Sequence, residues 1–304
     1  MPVIELNNIN KTFGGARALI DITFSVEEGE IFGLIGPDGA GKTTLFRIIN
    51  TLYLPDEGKA IVLGFDTVQD IKQIRTKLGY MPGRFSLYQD LSVEENLRFF
   101  ASIFNADIHK NYYLIEDIYS QIEPFKDRKA GALSGGMKQK LALSCALVHK
   151  PEILLLDEPT TGVDAVSRKE FWEMLKKLKQ QGITIVVSTP YMDEASQCDR
   201  VALMQKGNIM SIDQPDNVVA RFSKELIGIT AENKYKLINL LRDYKNCRTA
   251  YPFGEYIHYT DISDKPDLDE LDKYLRANGI EDASIKTLQP DIEDSFMELM
   301  VRDN

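Results

Sequence analysis

The feature that most constrains this chain is a glycine-rich stretch between an apolar run and a helix-like run. It comprises Gly36, Pro37, Asp38, Gly39, Ala40, Gly41, Lys42, Thr43 and Thr44. The apolar run at residues 31–35 predicts a strand, and residues 45–49 predict a helix. Glycines let successive backbone N–H groups turn inward onto an anion, and a helix start points its positive dipole end at the same place. The stretch therefore matches the G-x-x-x-x-G-K-[ST] phosphate-binding pattern, and we expect its nine residues to bind a nucleoside triphosphate.

Two carboxylates, Asp157 and Glu158, close a second apolar run at residues 153–156. Such a run is typical of a parallel strand buried on both faces, and ligands bind beyond the carboxyl ends of these strands. Neighbouring strand residues point to opposite sides, so the two acids should have different roles. We expect Asp157 to hold Mg²⁺ together with the Thr43 hydroxyl, Lys42 to reach the β- and γ-phosphates, and Glu158 to act as general base.

A second glycine-bearing helix start follows a loop in the middle of the chain. It consists of Leu133, Ser134, Gly135, Gly136 and Met137. Residues 137–148 have a helical pattern, and the N-terminus of such a helix suits an anion. An ordinary serine N-cap with a flexible first turn explains the same residues equally well. The residues alone leave both interpretations open.

Length, charge and cysteine usage limit the class of protein. A chain of 304 residues is long for one core, so a domain of about 200 residues with a smaller one is expected. A net charge of -10 argues against a nucleic-acid surface. Three scattered cysteines lack metal-ligand spacing and suit a reducing compartment, the cytosol. No apolar run approaches the roughly 18 residues that span a bilayer, so another chain would have to cross any membrane.

The pattern of elements predicts how the chain is divided. Alternating residues before position 30 predict an antiparallel sheet beside the phosphate-loop strand, and residues 91–122, opened by a capping box at Ser92, predict an inserted helical block. From about Lys224 a βαββαβ order suggests a small ferredoxin-like domain. We expect an α/β nucleotide-binding domain at residues 1–221, with a helical subdomain at about 84–150. A small α+β domain at residues 222–304 would be regulatory, dimer-stabilising or a structural appendage.

One aromatic residue, Phe13, lies beside two glycines in a polar segment. Its ring could stack on a purine base. A lone aromatic residue packs against protein more often than against a ligand, so packing remains the alternative.

The combined motifs resemble the ATP-binding subunit of ABC transporters over residues 3 to about 220. Residues 36–43 match Walker A, residues 133–137 the family signature, residues 153–157 Walker B, Glu158 the catalytic glutamate, and residues 161–164, ending at Asp164, the D-loop. Phe13 falls at the position of the family's base-stacking aromatic. Residues 137–140 and 191–195 are most similar to the ABC-2-type efflux branch, which exports drugs and other hydrophobic compounds.

The resemblance implies a P-loop ATPase fold, with a RecA-like core, an antiparallel β subdomain and a helical subdomain. It also implies ATP and Mg²⁺ as cofactors, with ATP sandwiched between Walker A of one cassette and the signature of another. The protein would then work as a dimer on transmembrane subunits, peripherally at the cytoplasmic face of the cell membrane.

Two positions depart from the family pattern. The family has a glutamine after the strand that ends at residues 80–82, where this chain has Gly83, and a histidine after the strand that ends at residue 189, where it has Pro190. The family residues contact Mg²⁺, the attacking water and the γ-phosphate, whereas glycine has no side chain and proline offers no donor. Gln89 lies six residues beyond Gly83, and its side chain could reach back toward the glycine position.

Three functions remain open at this point. The first is the ATPase subunit of an efflux pump, with its own catalytic site impaired. The second is a soluble ABC protein acting on ribosomes or DNA, which the single cassette and net acidity disfavour. The third is a regulatory cassette that binds ATP but barely hydrolyses it. Because the signature is intact, we favour a heterodimer in which a complete partner cassette hydrolyses most of the ATP.

Overall fold

The computed structural model describes residues 1–302, which form two compact units divided between Pro215 and Asp216. The sequence placed this boundary six residues later. The strands of the first unit are β1 (Pro2–Phe13), β2 (Ala16–Glu27), β3 (Ile31–Ile35), β4 (Glu57–Val62), β5 (Phe65–Asp66), β6 (Leu78–Met81), β7 (Ile153–Asp157), β8 (Thr184–Thr189), β9 (Arg200–Gln205) and β10 (Asn208–Asp213). Its helices are α1 (Lys42–Ile49), α2 (Ile71–Arg75), α3 (Val93–Ile103), α4 (Ile108–Tyr119), α5 (Gly135–Leu147) and α6 (Ala165–Gln180).

A six-stranded sheet forms the centre of the first unit, in the order β10-β9-β3-β8-β7-β6. All neighbouring pairs from β9 to β6 are parallel, and β10 is an antiparallel edge strand. Strands β3 and β7 are buried along their whole length, as their unbroken apolar sequences predict. The carboxyl ends of β3, β8, β7 and β6 therefore meet at one edge of the sheet, where the predicted site residues follow them.

A separate antiparallel sheet, in the order β2-β1-β4-β5, confirms the predicted β subdomain. It is larger than expected, because β1 and β2 are long strands and two further strands join them. Helices α3, α4 and α5 make up the helical block, and Ser92 with Glu95 forms the predicted capping box of α3. Among residues 1–302, no helix is both long enough and apolar enough to span a bilayer.

One local prediction needs correction. Helix α5 begins at Gly135, not at Met137, because Ser134 is its N-cap. The segment Met192–Gln197 forms a 3-10 helix. The β9–β10 hairpin turns at Lys206 and Gly207, both with positive φ.

The second unit has the predicted element order, βαββαβ, with a helix added at each end. Its elements are α7 (Pro215–Ala220, whose first residue belongs to the first unit), β11 (Leu226–Thr230), α8 (Lys234–Asp243), β12 (Cys247–Phe253), β13 (Tyr256–Asp261), α9 (Leu268–Ala277), β14 (Ser284–Leu288) and α10 (Ile292–Arg302). The antiparallel sheet runs β12-β13-β11-β14, and buried leucines of α8 and α9 pack with its strands. This is the strand order of a ferredoxin-like sheet.

Candidate functional site: a phosphate loop at the sheet edge

The loop between β3 and α1 has the backbone geometry that its glycines permit. Gly39 and Gly41 have φ of +79° and +109°, which L side chains rarely adopt. A Cβ at Gly36 would lie 2.1 Å from the Met204 carbonyl oxygen, so only glycine allows this approach to β9. The turn of the β9–β10 hairpin also holds the loop, since the Gly207 N–H donates to the Ala40 carbonyl at 2.9 Å. The loop held in this way leads directly into α1, whose first residue is Lys42.

Lys42 is a buried cation held by three oxygen atoms. Its Nζ donates to the carbonyl oxygens of Gly36 at 2.7 Å and Pro37 at 3.1 Å, and it lies 3.3 Å from Oε1 of Glu158. Only 3% of the side chain is exposed. A lysine so placed is directed into the loop, and an incoming phosphate would take the place of these oxygen partners.

Thr43 and Asp157 present adjacent oxygen atoms, as expected of a Mg²⁺ site. The Thr43 hydroxyl donates to Oδ1 of Asp157 at 3.2 Å, across the gap between α1 and the end of β7. Mg²⁺ prefers hydroxyl, carboxylate and water oxygens in combination with substrate phosphates, so this donor set fits the ion. Asp157 is itself 97% buried and is fixed by a second hydroxyl, that of Ser188, at 2.6 Å.

Glu158 has a strained backbone at the end of β7. Its φ is +51°, which is uncommon for a residue with a side chain. Its N–H donates to Ser188, to the carbonyl oxygen at 3.0 Å and to the hydroxyl at 3.1 Å. The Glu158 carboxylate contacts Lys42, whereas that of Asp157 contacts the hydroxyls of Thr43 and Ser188, consistent with separate roles for the two acids.

The two departures from the family pattern lie at this same edge. An ideal Cβ on Gly83 would lie 3.0 Å from the Asp157 carbonyl oxygen and 3.7 Å from the Glu158 Cβ. Pro190 follows Thr189, whose carbonyl accepts from the Gly36 N–H at 3.2 Å. Both positions therefore adjoin the site, and neither provides a polar side chain to it.

Gln89 does not fill the position left by Gly83. Its carbonyl oxygen accepts from the Gly131 N–H at 2.9 Å, and its amide oxygen lies 3.6 Å from the Cβ position of Gly131. The Gln89 side chain thus packs on the loop before the signature, and the structure does not realise the possibility that it reaches back toward Gly83.

Phe13 ends β1 and remains 43% exposed. Its ring lies 5.4 Å from the ring of Tyr53, which follows α1, and 5.3 Å from the Lys11 ammonium. Tyr53 in turn accepts a hydrogen bond from Arg47 of α1 at 3.0 Å. Packing fixes one side of the ring while its exposed part stays available to a base.

The signature residues open α5 with room around their glycines. The Ser134 hydroxyl accepts from the Met137 N–H at 3.4 Å, and Leu133 is buried. No heavy atom lies within 4 Å of a Cβ built on Gly135, and the nearest to one on Gly136 is the Ser167 hydroxyl at 3.8 Å. The start of α5 therefore has open space beside its two glycines, and such a helix N-terminus suits an anion brought by another molecule.

Asp164 is an N-cap. Its carboxylate accepts from the N–H groups of Val166 at 3.1 Å and Ser167 at 3.0 Å, and so begins α6. These hydrogen bonds, chiefly that from Ser167, lower the pKa of Asp164 below its usual value. The residue is exposed at a helix start beside the signature glycines.

Sequence reasoning missed two residues of the site. Ser188 contacts both acids, and its register opposite Asp157 follows from the pairing of β7 with β8. Tyr80 on β6 is the second, because it interacts electrostatically with Asp157. Burial, and then the charge of Asp157, raise the pKa of Tyr80 to about 12 and keep the phenol protonated. The sequence did contain a signal for the role of Ser188, namely a hydroxyl near the end of a strand, two residues before Pro190.

Comparisons with known proteins agree with this geometry. Residues 19–161 match the family model described as "ABC transporter". The chain is 36% identical over 98% of its length to the "Probable multidrug ABC transporter ATP-binding protein YbhF" of Escherichia coli (strain K12), but spans only 52% of that relative. It is 33% identical over 99% of its length to the "Nod factor export ATP-binding protein I" of Rhizobium sp. (strain N33), and spans 97% of it.

Solved structures show the same fold for the larger unit. One described as the ATP binding subunit of an ABC transporter has a TM-score of 0.67 and 26% identity, covering 72% of this chain and 93% of its own. A dimeric ATP-binding cassette, in a post-hydrolysis state bound to ADP and Pi, has a TM-score of 0.64 and 27% identity, covering 69% of this chain and 98% of its own.

Proposed function

The chain belongs to the ABC transporter family of ATP-binding proteins, and we propose that it is the ATP-binding and ATP-hydrolysing subunit of an export system. The observation that carries this proposal is the joint geometry of Lys42, Thr43, Asp157 and Glu158 at one sheet edge. Its relatives are named for multidrug and Nod factor export, so we further propose a hydrophobic or drug-like cargo.

Each residue of the site has a defined role in this proposal. The loop N–H groups and Lys42 would bind the β- and γ-phosphates, and the oxygens of Thr43 and Asp157 would hold Mg²⁺, which would supply positive charge to neutralise the phosphates. Ser188 orients Asp157, and Phe13 stacks on the adenine. Glu158, released from Lys42 when phosphate binds, accepts a proton from the attacking water.

We propose that this catalytic half is impaired. Gly83 and Pro190 adjoin the acids and the phosphate loop but bring no group to orient water or stabilise the transferred phosphoryl. Those contacts act mainly in the transition state, so ATP should still bind while turnover is slow. The same observation favours a second candidate, a regulatory cassette that hydrolyses almost no ATP beside an active partner.

Nucleotide binding is the first test. Calorimetric titration of the purified chain with a non-hydrolysable ATP analogue and Mg²⁺ should show binding, and Lys42→Ala should abolish it. A wild-type chain that binds nothing at millimolar nucleotide would contradict the proposed function.

Turnover is the second test. We expect the double variant Gly83→Gln with Pro190→His to hydrolyse ATP faster than wild type, since each restored contact is worth about 100-fold. Even a Cβ at position 83 is tight against the Asp157 carbonyl, so Gly83→Ala with Pro190→Ala is the matched control. Wild-type turnover of about 1 s⁻¹ or faster, abolished by Glu158→Gln, would show that the site is not impaired.

We also propose that transmembrane subunits recruit the chain to the cytoplasmic face of the membrane through an apolar cleft. The cleft, of about 640 Å³, lies between the end of β6 and helices α3 and α5, and its lining includes Met81, Phe100 and Ala142. Leu52 and Ile103 at its rim are 49% and 57% exposed. Single exposed apolar residues are ordinary, but two beside an apolar cleft favour a protein partner.

Co-purification from membranes tests this recruitment. Ile103→Glu should release the chain from its membrane partners and leave nucleotide affinity unchanged, because Ile103 is exposed on α3 and makes no contact with the phosphate loop in the described structure. Val166→Glu, at a more exposed apolar residue of α6, is the control. Retention of the Ile103→Glu variant on its partners would contradict docking at the cleft.

A further inference from the structure

Arg168 of α6 connects two parts of the first unit that the proposed mechanism uses separately. Its Nη1 lies 3.4 Å from Asp193 Oδ2, and its Nε lies 3.8 Å from Glu194 Oε1. Its guanidinium also lies over the Tyr191 ring, at 4.6 Å from the centroid. All three partners lie in residues 191–197, which directly follow Pro190 and are called the segment below.

The Glu194 carboxylate depends on this contact. The residue is 98% buried, and among residues 1–302 no group donates a hydrogen bond to either of its oxygens. Arg168 forms its one ion pair in that described range. A buried carboxylate without its cation is strongly destabilised, so the position of the segment is tied to the position of Arg168.

Part of the space between the two elements is an open cleft. A cleft of about 460 Å³ lies between α6 and the 3-10 helix, lined by Arg168, Trp172 and Glu194 among others. Elements separated by such a cleft can change their spacing more easily than packed ones, because protein interiors otherwise resist small displacements. Side-chain contacts bridge the two elements at this cleft, and they include three made by Arg168 and one made by Lys176, which is bonded to Gln197 at 2.8 Å.

The two ends of this link face different sites. At one end, the Thr189 carbonyl before the segment bonds the Gly36 N–H of the phosphate loop. At the other end, α6 begins one turn before Arg168 with the Asp164 cap, and Ser167 adjoins Gly136 of the signature. We propose that Arg168 is a positioning residue that transmits nucleotide occupancy of this chain's own site to the start of α6.

This inference deepens the proposed function and rests on it for the ligand. Proline offers no polar side-chain group to a nucleotide, so the backbone bond between Thr189 and Gly36 is the route by which the phosphate loop would displace the segment. Arg168 then moves the helix end that carries Asp164 and lies beside the signature.

The chain carries its own reporter for the test. Trp172 is the single tryptophan, lies on α6 one turn after Arg168 and lines the same cleft. It is 96% buried, and no residue of the described range accepts a hydrogen bond from its indole N–H. A change in spacing between α6 and the segment should therefore change its emission.

The experiment titrates the purified full chain with Mg²⁺ and a non-hydrolysable ATP analogue, and follows Trp172 emission while equilibrium dialysis measures binding independently. Wild type should bind and change its emission. Arg168→Ala should bind the analogue with similar affinity, but the amplitude of its emission change should be about fivefold smaller than that of wild type, or less. Glu194→Gln, which keeps the side-chain shape, should show the same reduction. Lys176→Ala should retain the wild-type change.

Three results would overturn the inference. They are an undiminished emission change in both Arg168→Ala and Glu194→Gln, an equal loss in Lys176→Ala, and saturated binding by wild type with no emission change. If Arg168→Ala fails to fold, Glu194→Gln alone decides. Absence of binding in dialysis would instead contradict the proposed function and remove the basis of the inference with it.

Discussion

Replacing Ser188 by alanine should weaken the metal site without touching a residue that contacts nucleotide. The Ser188 hydroxyl is fully buried, donates to Asp157 at 2.6 Å and accepts from the Glu158 N–H. A hydrogen bond to a charged group contributes about 1.5–3 kcal/mol, whereas the Glu158 N–H keeps its bond to the Ser188 carbonyl. We therefore expect a loss of about 2 kcal/mol in the free energy of unfolding.

The effect on Mg²⁺ follows from the same bond. Asp157 has two hydroxyl partners, so loss of one leaves its carboxylate held by Thr43 alone, which must also contact the ion. If about half of the lost energy, about 1 kcal/mol, appears in metal positioning, the Mg²⁺ concentration for half-saturating ATP binding should rise about fivefold.

Thr184 on the same strand gives the matched control. It is buried at the opposite end of β8, where its hydroxyl accepts from the Gly29 N–H at 2.9 Å. Thr184→Val should lower stability by about 1 kcal/mol and leave the Mg²⁺ dependence unchanged. The assay is denaturant unfolding together with ATP-analogue binding at varied Mg²⁺. An unchanged Mg²⁺ dependence in Ser188→Ala would refute the proposed role of Ser188.

Two further predictions concern residues outside the acid pair. Phe13→Ala should weaken ATP binding by about twofold to tenfold but leave binding of inorganic triphosphate unchanged, because only the base is stacked; equal losses for both ligands, measured by calorimetry, would indicate a packing role. In the second unit, burial would raise the pKa of Asp294, but hydrogen bonds from His258 and Tyr251 lower it below 3.8 overall. The Asp294 carboxylate therefore contributes stability above its unfolded-state pKa of 3.8, and this contribution is lost as the pH falls through its lower pKa in the folded state. The difference in melting temperature between wild type and Asp294→Asn should accordingly shrink below about pH 3.8.

Local patterns predicted the parts of the site that depend on neighbouring residues. The glycines and Lys42 define the phosphate loop because consecutive residues determine its backbone conformation. The apolar run before Asp157 indicates a buried strand, whichever strands it pairs with. The Ser92 capping box likewise depends on four consecutive residues. These features needed no knowledge of the sheet order.

The remaining features depend on contacts between distant segments. Strand β8 lies between β3 and β7, and this order alone brings Ser188 to Asp157. The crowding of Gly83 by the Asp157 carbonyl and the contact of Gln89 with Gly131 also join segments that are far apart in sequence or run in loops. Helix α5 begins earlier than its apolar pattern because a cap, rather than the first apolar residue, sets a helix start.

The measurement that tests the central claim most directly compares Gly135→Asp with Glu158→Gln in membranes that contain the assembled transporter. The claim is that this chain offers an impaired catalytic half to its own site and an intact signature to a partner cassette. Position 135 has room for a side chain within the chain, and an acidic residue in the first turn of a helix is favourable. Gly135→Asp should therefore fold, and Gly135→Ala controls for the loss of glycine.

We expect Gly135→Asp to reduce ATPase activity and transport severely, because its carboxylate would occupy the place of the partner's γ-phosphate. Glu158→Gln should reduce both much less, since the water that Glu158 would activate is already poorly placed. Equal losses in the two variants, or a larger loss in Glu158→Gln, would show that this chain's own site turns over and that Gly83 and Pro190 are tolerated there.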